Sequence, residues 1–233
     1  MGGGNMIEDP DVASVAALMA VPARAEILLA LMHGQSRPAG ELARFAGLSP
    51  QAATAHLKKL VSGGFLAIMT SGRHRYYRLA SPEVAQAIES LMPLAQSARS
   101  SPYPKPVSPL QKARSCYDHV AGQLGVAITD ALVRKGYLIE NERDYRVTTS
   151  GASWFCDLGV DLQPDPRCRR AFTRKCLDWS ERRYHLGGLL GAAMLETFLD
   201  SGWLARSSSH RRALRISHAG QTGLWRQLEI EWR

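Results

Sequence analysis

Two sets of residues in this 233-residue chain have the types and spacing to do chemistry. The first runs from Ser49 to Ala80, which holds Lys58, Lys59, Arg73, Arg75 and Arg78 and no aspartate or glutamate. Cations unrelieved by acids attract a polyanion, and the whole chain carries a formal charge of +8. Within this stretch Gln51 and Thr54 can hydrogen-bond to base edges. The small Ala52 and Ala55 allow close approach, and Lys58 and Lys59 can bind phosphate. The second set is sulfur and imidazole: Cys116, His119, Cys176 and His185, with Trp179 among them. Such groups take soft metals, bind small ligands or react with electrophiles. Spaced i, i+3, Cys116 and His119 would share one face of a helix. No C-x-x-C pair accompanies them, and cysteine is often an ordinary buried residue, so no metal site and no cofactor are assigned. The five residues are read instead as an effector pocket for a small-molecule or thiol-reactive compound, flanked by Arg114, Arg182 and Arg183, which would lower a thiol pKa.

The elements that must position the first set are legible. A short apolar helix is expected over 11–20, and Pro22 opens a second in which Ile27, Leu28 and Leu31 recur at helical spacing until Gly34. A third covers 39–46, with Leu42, Phe45 and Ala46 inward. In "AGLSP", Gly47 supplies a left-handed turn, Ser49 caps the next helix and Pro50 starts it. Helix, glycine turn, helix is the helix-turn-helix arrangement. The helix after the turn buries Ala53, Leu57, Leu60 and Val61 and leaves Ser49, Gln51, Ala52, Thr54, Ala55, His56, Lys58 and Lys59 for duplex DNA. "FLAIMT" and "RYYRLA" then flank "SGRH" as a hairpin with Gly72 at its turn. Its tip presents Arg73, His74 and Arg75 to the DNA backbone or minor groove, and one of Tyr76 and Tyr77 packs inward.

On "PARAEILLAL", "GELARFAGLSPQAATAHLKKLVSGGFL" and "GRHRYYRL", residues 11–92 resemble the ArsR/SmtB family of winged-helix repressors. The resemblance implies a homodimeric, sequence-specific DNA-binding repressor released by an effector, with its recognition helix at 49–61 and its wing at 65–79. Two departures bear on the effector. Many metal-sensing members carry cysteines in the helix before the recognition helix, and "ELARFAGL" has none. Others place histidine ligands on the last helix of the module, and "PEVAQAIESLM" has no histidine. The stripe Val84, Ile88, Leu91 and Met92 on that helix reads as a dimer seam or core, and Pro93 should end or kink it.

Serines and prolines without hydrophobic period make 99–109 a linker between a DNA-binding and dimerisation domain at 1–98 and an effector domain at 110–233. The second module repeats: "HVAGQLGVAITDALVRKGYL" (119–138) aligns without gaps to "HLGGLLGAAMLETFLDSGWL" (185–204). Each copy is followed by a basic hairpin and a tryptophan-bearing segment, so the repeat is read as helix, two-stranded wing, helix. His119 and His185 would then open equivalent helices, whose glycine faces cross closely and leave the effector cleft where they diverge. The fold class expected is mainly α with small β-hairpins: an N-terminal winged helix-turn-helix followed by two winged-helix-like repeats.

No apolar run reaches the ~20 residues of a membrane span, and the glycine-rich, then acidic, N-terminus is not a signal peptide. Four cysteines without a regular framework suit a reducing cytoplasm. G-x-S-x-G, P-loop and H-E-x-x-H motifs are absent, which speaks against an enzyme fused to a winged helix. An architectural DNA-binding protein that answers to no effector is the other alternative.

Overall fold

The computed structural model describes residues 11–97, 106–163, 168, 170–207 and 212–232. By contacts these fall into two compact units, one holding residues 11–31 and 35–81, the other 32–34 and 82 onward.

In the first unit, Asp11 caps α1 (Val12–Met19) by accepting from Ser14 N at 2.9 Å. α1 ends against Arg24, whose Nε donates to the Leu18 carbonyl at 2.6 Å and so satisfies one of the groups a helix C-terminus leaves bare. Arg24 belongs to α2 (Pro22–Leu31), followed by β1 (Arg37–Pro38), α3 (Ala39–Phe45) and α4 (Pro50–Ser62). Gly47, at φ 63°, makes the left-handed turn between α3 and α4. Ser49 Oγ accepts from Ala52 N at 3.3 Å, and Pro50 stands in the first turn of α4. Strands β2 (Leu66–Ser71) and β3 (His74–Leu79) pair antiparallel from Leu66↔Leu79 to Ser71↔His74, and β1 adds to the outer edge of β3. The core is Ile27, Leu28, Leu31, Leu42, Ala43, Ala53, Leu57, Leu60, Leu66, Tyr77 and Leu79. Tyr77 is thus the inward tyrosine; Phe45 and Ala46 are only half-buried, and Ala43 takes the inward position with Leu42.

The second unit opens with α5 (Pro82–Ser97), the helix that the sequence pattern grouped with the first module. Its Glu89 is buried against Arg212 rather than facing solvent, which ties α5 to the C-terminal part of the chain. Pro93 does not end it; the helix runs on to Ser97, because a proline removes one N–H bond and the neighbouring turns keep theirs. Along the expected stripe Ile88 is buried, Val84 and Met92 are half-buried, and Leu91 is 45% exposed. Most of the expected linker, 99–105, lies outside the described residues, and 109–112 form the short helix α6 (Pro109–Lys112).

Beyond it, one order of elements occurs twice. β4 (Arg114–Cys116) and β5 (His119–Ala121) form a hairpin, followed by α7 (Gln123–Arg134), the hairpin β6 (Leu138–Glu140) and β7 (Tyr145–Val147), and α8 (Thr149–Asp157). Then come β8 (Arg174–Leu177) and β9 (Tyr184–Gly187), α9 (Gly188–Asp200), β10 (Leu204–Arg206), β11 (Leu214–Ile216) and α10 (His218–Leu228). The sequence reading missed the leading hairpin of each set. His119 and His185 do not open helices: Gly122 and Gly187 stand at those N-caps, and both histidines sit on strands. The cause is local. Cys116-Tyr117-Asp118-His119 is a two-residue turn with Tyr117 at φ 56°, so its i, i+3 spacing spans a hairpin rather than one turn of helix.

The glycine faces also differ from expectation. What meets them is the hairpin backbone and the other set's histidine, rather than a second helix. A Cβ at Gly125 would lie 2.4 Å from the Val120 carbonyl oxygen and 3.7 Å from His185 Cβ; at Gly191 the distances are 2.5 Å to Leu186 O and 3.1 Å to His119 Cβ. β9 packs on α7 and β5 on α9, so each set's hairpin lies on the other's helix. Around them Leu124, Ile128, Leu132, Phe155, Leu190, Met194, Phe198, Leu224 and Leu228 form one buried cluster. No single described helix is long and apolar enough to cross a membrane.

Candidate functional site: a basic face and a buried thiol–imidazole cluster

The basic face lies in the first unit. On α4, Gln51, Thr54, Ala55, Lys58 and Lys59 are exposed, as is the cap residue Ser49, while Ala52 and His56 are half-buried and Ala53, Leu57 and Leu60 are inside. Thr54 Oγ1 donates to the Pro50 carbonyl at 2.8 Å and Ser49 Oγ is engaged as the cap, so both hydroxyls already have backbone partners. At the hairpin tip, Gly72 at φ 55° turns the chain and leaves Arg73, His74 and Arg75 exposed. A helix with one apolar and one small, polar and cationic side, beside a cationic two-stranded tip, can lie in a groove while lysines and arginines take phosphates.

The second site lies within the second unit and is built from cross-strand pairs. In β4–β5, Cys116 stands opposite His119; in β8–β9, Cys176 stands opposite His185. The two hairpins meet side by side. Cys116 Sγ is 3.7 Å from Cys176 Sγ, His119 Nε2 is 3.1 Å from His185 Nε2, and all four donor atoms lie within 4.8 Å of one another. Cys116, His119 and His185 are buried and Cys176 is half-buried.

Behind each imidazole stands a carboxylate held by an arginine. Asp118 Oδ1 is 3.4 Å from His119 Nδ1, and both its oxygens accept from Arg170. Asp178 Oδ2 is 3.5 Å from His185 Nδ1 and accepts from Arg114 Nη2 at 3.0 Å and Gly122 N at 2.7 Å. Its Oδ1 accepts from Ser180 N, Ser180 Oγ and Glu181 N. Burial alone would raise the Asp178 carboxyl; Arg114, then His185, outweigh it and hold the group well below the usual carboxylate range. Burial likewise opposes ionisation of Asp118, and its bonds to His119 and Arg170 overturn that. The contact with Cys176, and then burial, push the Cys116 thiol well up. Burial works against an imidazolium at His119, but Cys116 and Asp118 outweigh it and raise the group to about 10. For the buried Cys116 sulfur the neutral thiol is the form that burial favours.

Four of the five residues expected at an effector pocket therefore come together. The fifth, Trp179, does not join them: its ring stacks under the Arg114 guanidinium, 4.3 Å from the centroid. Nor do the arginines lower the pKa of the Cys116 thiol. Arg114 is spent on Asp178 and Arg183 on Asp130, and the Cys116 thiol moves up instead of down. A cavity of about 420 Å³ opens beside the cluster, lined by Cys116, His119 and Cys176 together with Arg170, Arg174 and residues of α5. Sequence reasoning missed Asp118, Asp178 and Arg170, and read Arg114 as a neighbour of a thiol rather than as the partner of Asp178. A pattern for three of them was present: Arg-x-Cys-x-Asp occurs at 114–118 and again at 174–178, with the histidine following at 119 and 185.

Fold and exposed basic face define a winged helix-turn-helix DNA-binding protein. Residues 18–68 match the family model described as a helix-turn-helix domain. The chain is 40% identical over 225 residues to the uncharacterized HTH-type transcriptional regulator YdfF of Bacillus subtilis, covering 96% of this chain and 99% of that one. It belongs to that family of HTH-type transcriptional regulators. Among solved structures it is similar to the homodimeric winged helix-turn-helix domain of a possible ArsR-family regulator from Mycobacterium bovis, at 28% identity over 40% of this chain and 93% of that one, with a TM-score of 0.35. It is also similar to HlyU of Vibrio cholerae, at 29% identity over 36% of this chain and 89% of that one, with a TM-score of 0.33.

Proposed function

We propose that this regulator is a homodimeric repressor that holds duplex DNA through α4 and the β2–β3 tip and releases it when the second unit binds an effector. The observation that carries the reading is the exposed, one-signed face: Lys58, Lys59, Arg73 and Arg75 lie outward, with no acid between residues 49 and 80. A merely solvated surface mixes both signs of charge. Dimerisation is supported by α1, an apolar helix with no buried residue, on which Val12 is 71% and Val15 50% exposed. Effector control is supported by the cavity beside the cluster, which a purely architectural protein would not need.

The test is duplex binding by fluorescence anisotropy across a salt series. Arg73→Ala should weaken binding on most sequences and reduce the log–log salt slope by about one. Gln51→Ala should instead relax preference at one base pair, at about 1–3 kcal/mol. Unchanged affinity and slope in both variants would sink the assignment.

A further inference from the structure

We propose that Cys116, His119, Cys176 and His185 form a tetrahedral site for one zinc-class divalent cation, with each of the two hairpins β4–β5 and β8–β9 supplying one thiolate and one imidazole. The site stands on geometry and charge and does not depend on DNA binding. Naming the ion as the effector rests on the reading above.

The geometry comes first. Zinc holds sulfur at ~2.3 Å and nitrogen at ~2.0–2.1 Å, so the edges of a tetrahedron are about 3.8 Å between sulfurs and about 3.3 Å between nitrogens. The sulfurs here are 3.7 Å apart and the Nε2 atoms 3.1 Å. The remaining sulfur–nitrogen distances lie within 4.8 Å, and rotations moving these atoms by about 1 Å bring them to the edge of about 3.6 Å that the same bond lengths require.

The surroundings fit as well. Metal-bound histidines ordinarily turn their other ring nitrogen to a carboxylate, which fixes the tautomer and aims the lone pair at the ion. His119 has that arrangement with Asp118, and Asp178 stands 3.5 Å from His185 Nδ1, close but outside hydrogen-bond geometry. The charges also close. Arg170 and Arg114 already neutralise Asp118 and Asp178, so two thiolates and a divalent ion sum to zero in a buried place. A monovalent ion would leave one negative charge uncompensated. Binding exchanges the protons that the ligands carry, lost to solvent, for one cation, forms two metal–sulfur and two metal–nitrogen bonds, and involves no oxidation.

A structural reading of the same residues, as two thiols and two imidazoles sharing hydrogen bonds, explains the burial but not the paired carboxylates. A disulfide would use the sulfurs and leave the histidines without a task. The cavity supplies an entry path, since Cys116, His119 and Cys176 line it.

The experiment titrates the full reduced chain with cobalt(II), followed by absorption. One equivalent should develop the intense ligand-field bands of a tetrahedral ion and thiolate-to-cobalt charge transfer. One equivalent of zinc should then bleach both and, added alone, release protons from the ligands, a readout that needs no variant. Cys176→Ser, at the half-buried ligand, should lose about half the charge-transfer intensity, while Cys156→Ser and Cys168→Ser, at exposed cysteines, should change nothing. A folded wild-type chain that develops no bands, or bands undiminished in Cys176→Ser, would overturn the site. So would a Cys116–Cys176 disulfide formed in air by a chain that takes up no cobalt when reduced. Failure to take up cobalt in a chain that still binds DNA leaves the DNA reading standing; cobalt uptake by a chain that binds no DNA refutes that reading and keeps the site.

Discussion

The hairpins β4–β5 and β8–β9 carry the same residues in the same register, yet the carboxylate and arginine behind one histidine are sealed and those behind the other are open. On the sealed side, His185, Asp178 and Arg114 are all buried, and Asp178 accepts hydrogen bonds from the Arg114 guanidinium, two side-chain or backbone groups of Ser180, and two further amides. On the open side, Asp118 keeps 24% of its side chain exposed, its arginine is Arg170, and His119 lines the cavity. The pairing is also crossed. Arg114 of the first Arg-x-Cys-x-Asp run holds Asp178 of the second, while Arg174 of the second run lies exposed at the cavity. Two copies of one pattern can thus diverge in role without changing their donor atoms. The rigid half fixes where an ion would sit, and the accessible half lets it come and go.

Breaking the sealed half should have the largest effect. Asp178→Asn leaves the Arg114 charge buried against a neutral amide, and the expected loss is about 3–5 kcal/mol in chemical denaturation of the full chain. Filling the glycine gaps comes next. Gly125→Ala and Gly191→Ala each press a methyl onto a hairpin carbonyl, at about 1–3 kcal/mol. They should differ at the cluster: Gly191→Ala also crowds His119 Cβ at 3.1 Å, against 3.7 Å from Gly125 to His185 Cβ, so it should weaken cobalt binding more. The open half should respond least in stability. Asp118→Asn, partly exposed, should cost no more than about 1 kcal/mol. Its effect belongs in metal affinity, down about 10–100-fold, as for other carboxylates behind a ligating histidine. Equal destabilisation by Asp118→Asn and Asp178→Asn would erase the distinction between the halves.

The two functional regions differ in how far the sequence reveals them. The basic face is coded locally: Gly47, Ser49 and Pro50 set the turn, the apolar residues 53, 57 and 60 set the orientation of α4, and Gly72 sets the tip. Each decision is made within a few residues, so periodicity and capping chemistry recover it. The cluster is coded by contacts between residues 60 to 66 apart in the chain, as the Cys116–Cys176 and His119–His185 pairs show. The repeat brought the four donors under suspicion. Reading Cys116 and His119 on a helix, however, hid that each cysteine faces its own histidine across a strand pair. The six extra residues between Cys176 and His185 concealed the match to Cys116 and His119, and with it the paired aspartates. Strands of three and four residues carry too little alternation for a period to register, which is why both leading hairpins were missed.

Whether the cluster controls the basic face is decided by DNA affinity with and without the ion. The full chain is bound to a labelled duplex recovered by selection from random sequence, and its affinity is read by anisotropy with zinc buffered at saturation and again after chelation. The account predicts that zinc weakens wild-type binding by about tenfold or more, a coupling of about 1.4 kcal/mol, and that Cys176→Ser binds the same duplex equally with and without the ion. Wild-type affinity that is identical in both conditions, in a chain shown by absorption to hold the ion, would contradict it.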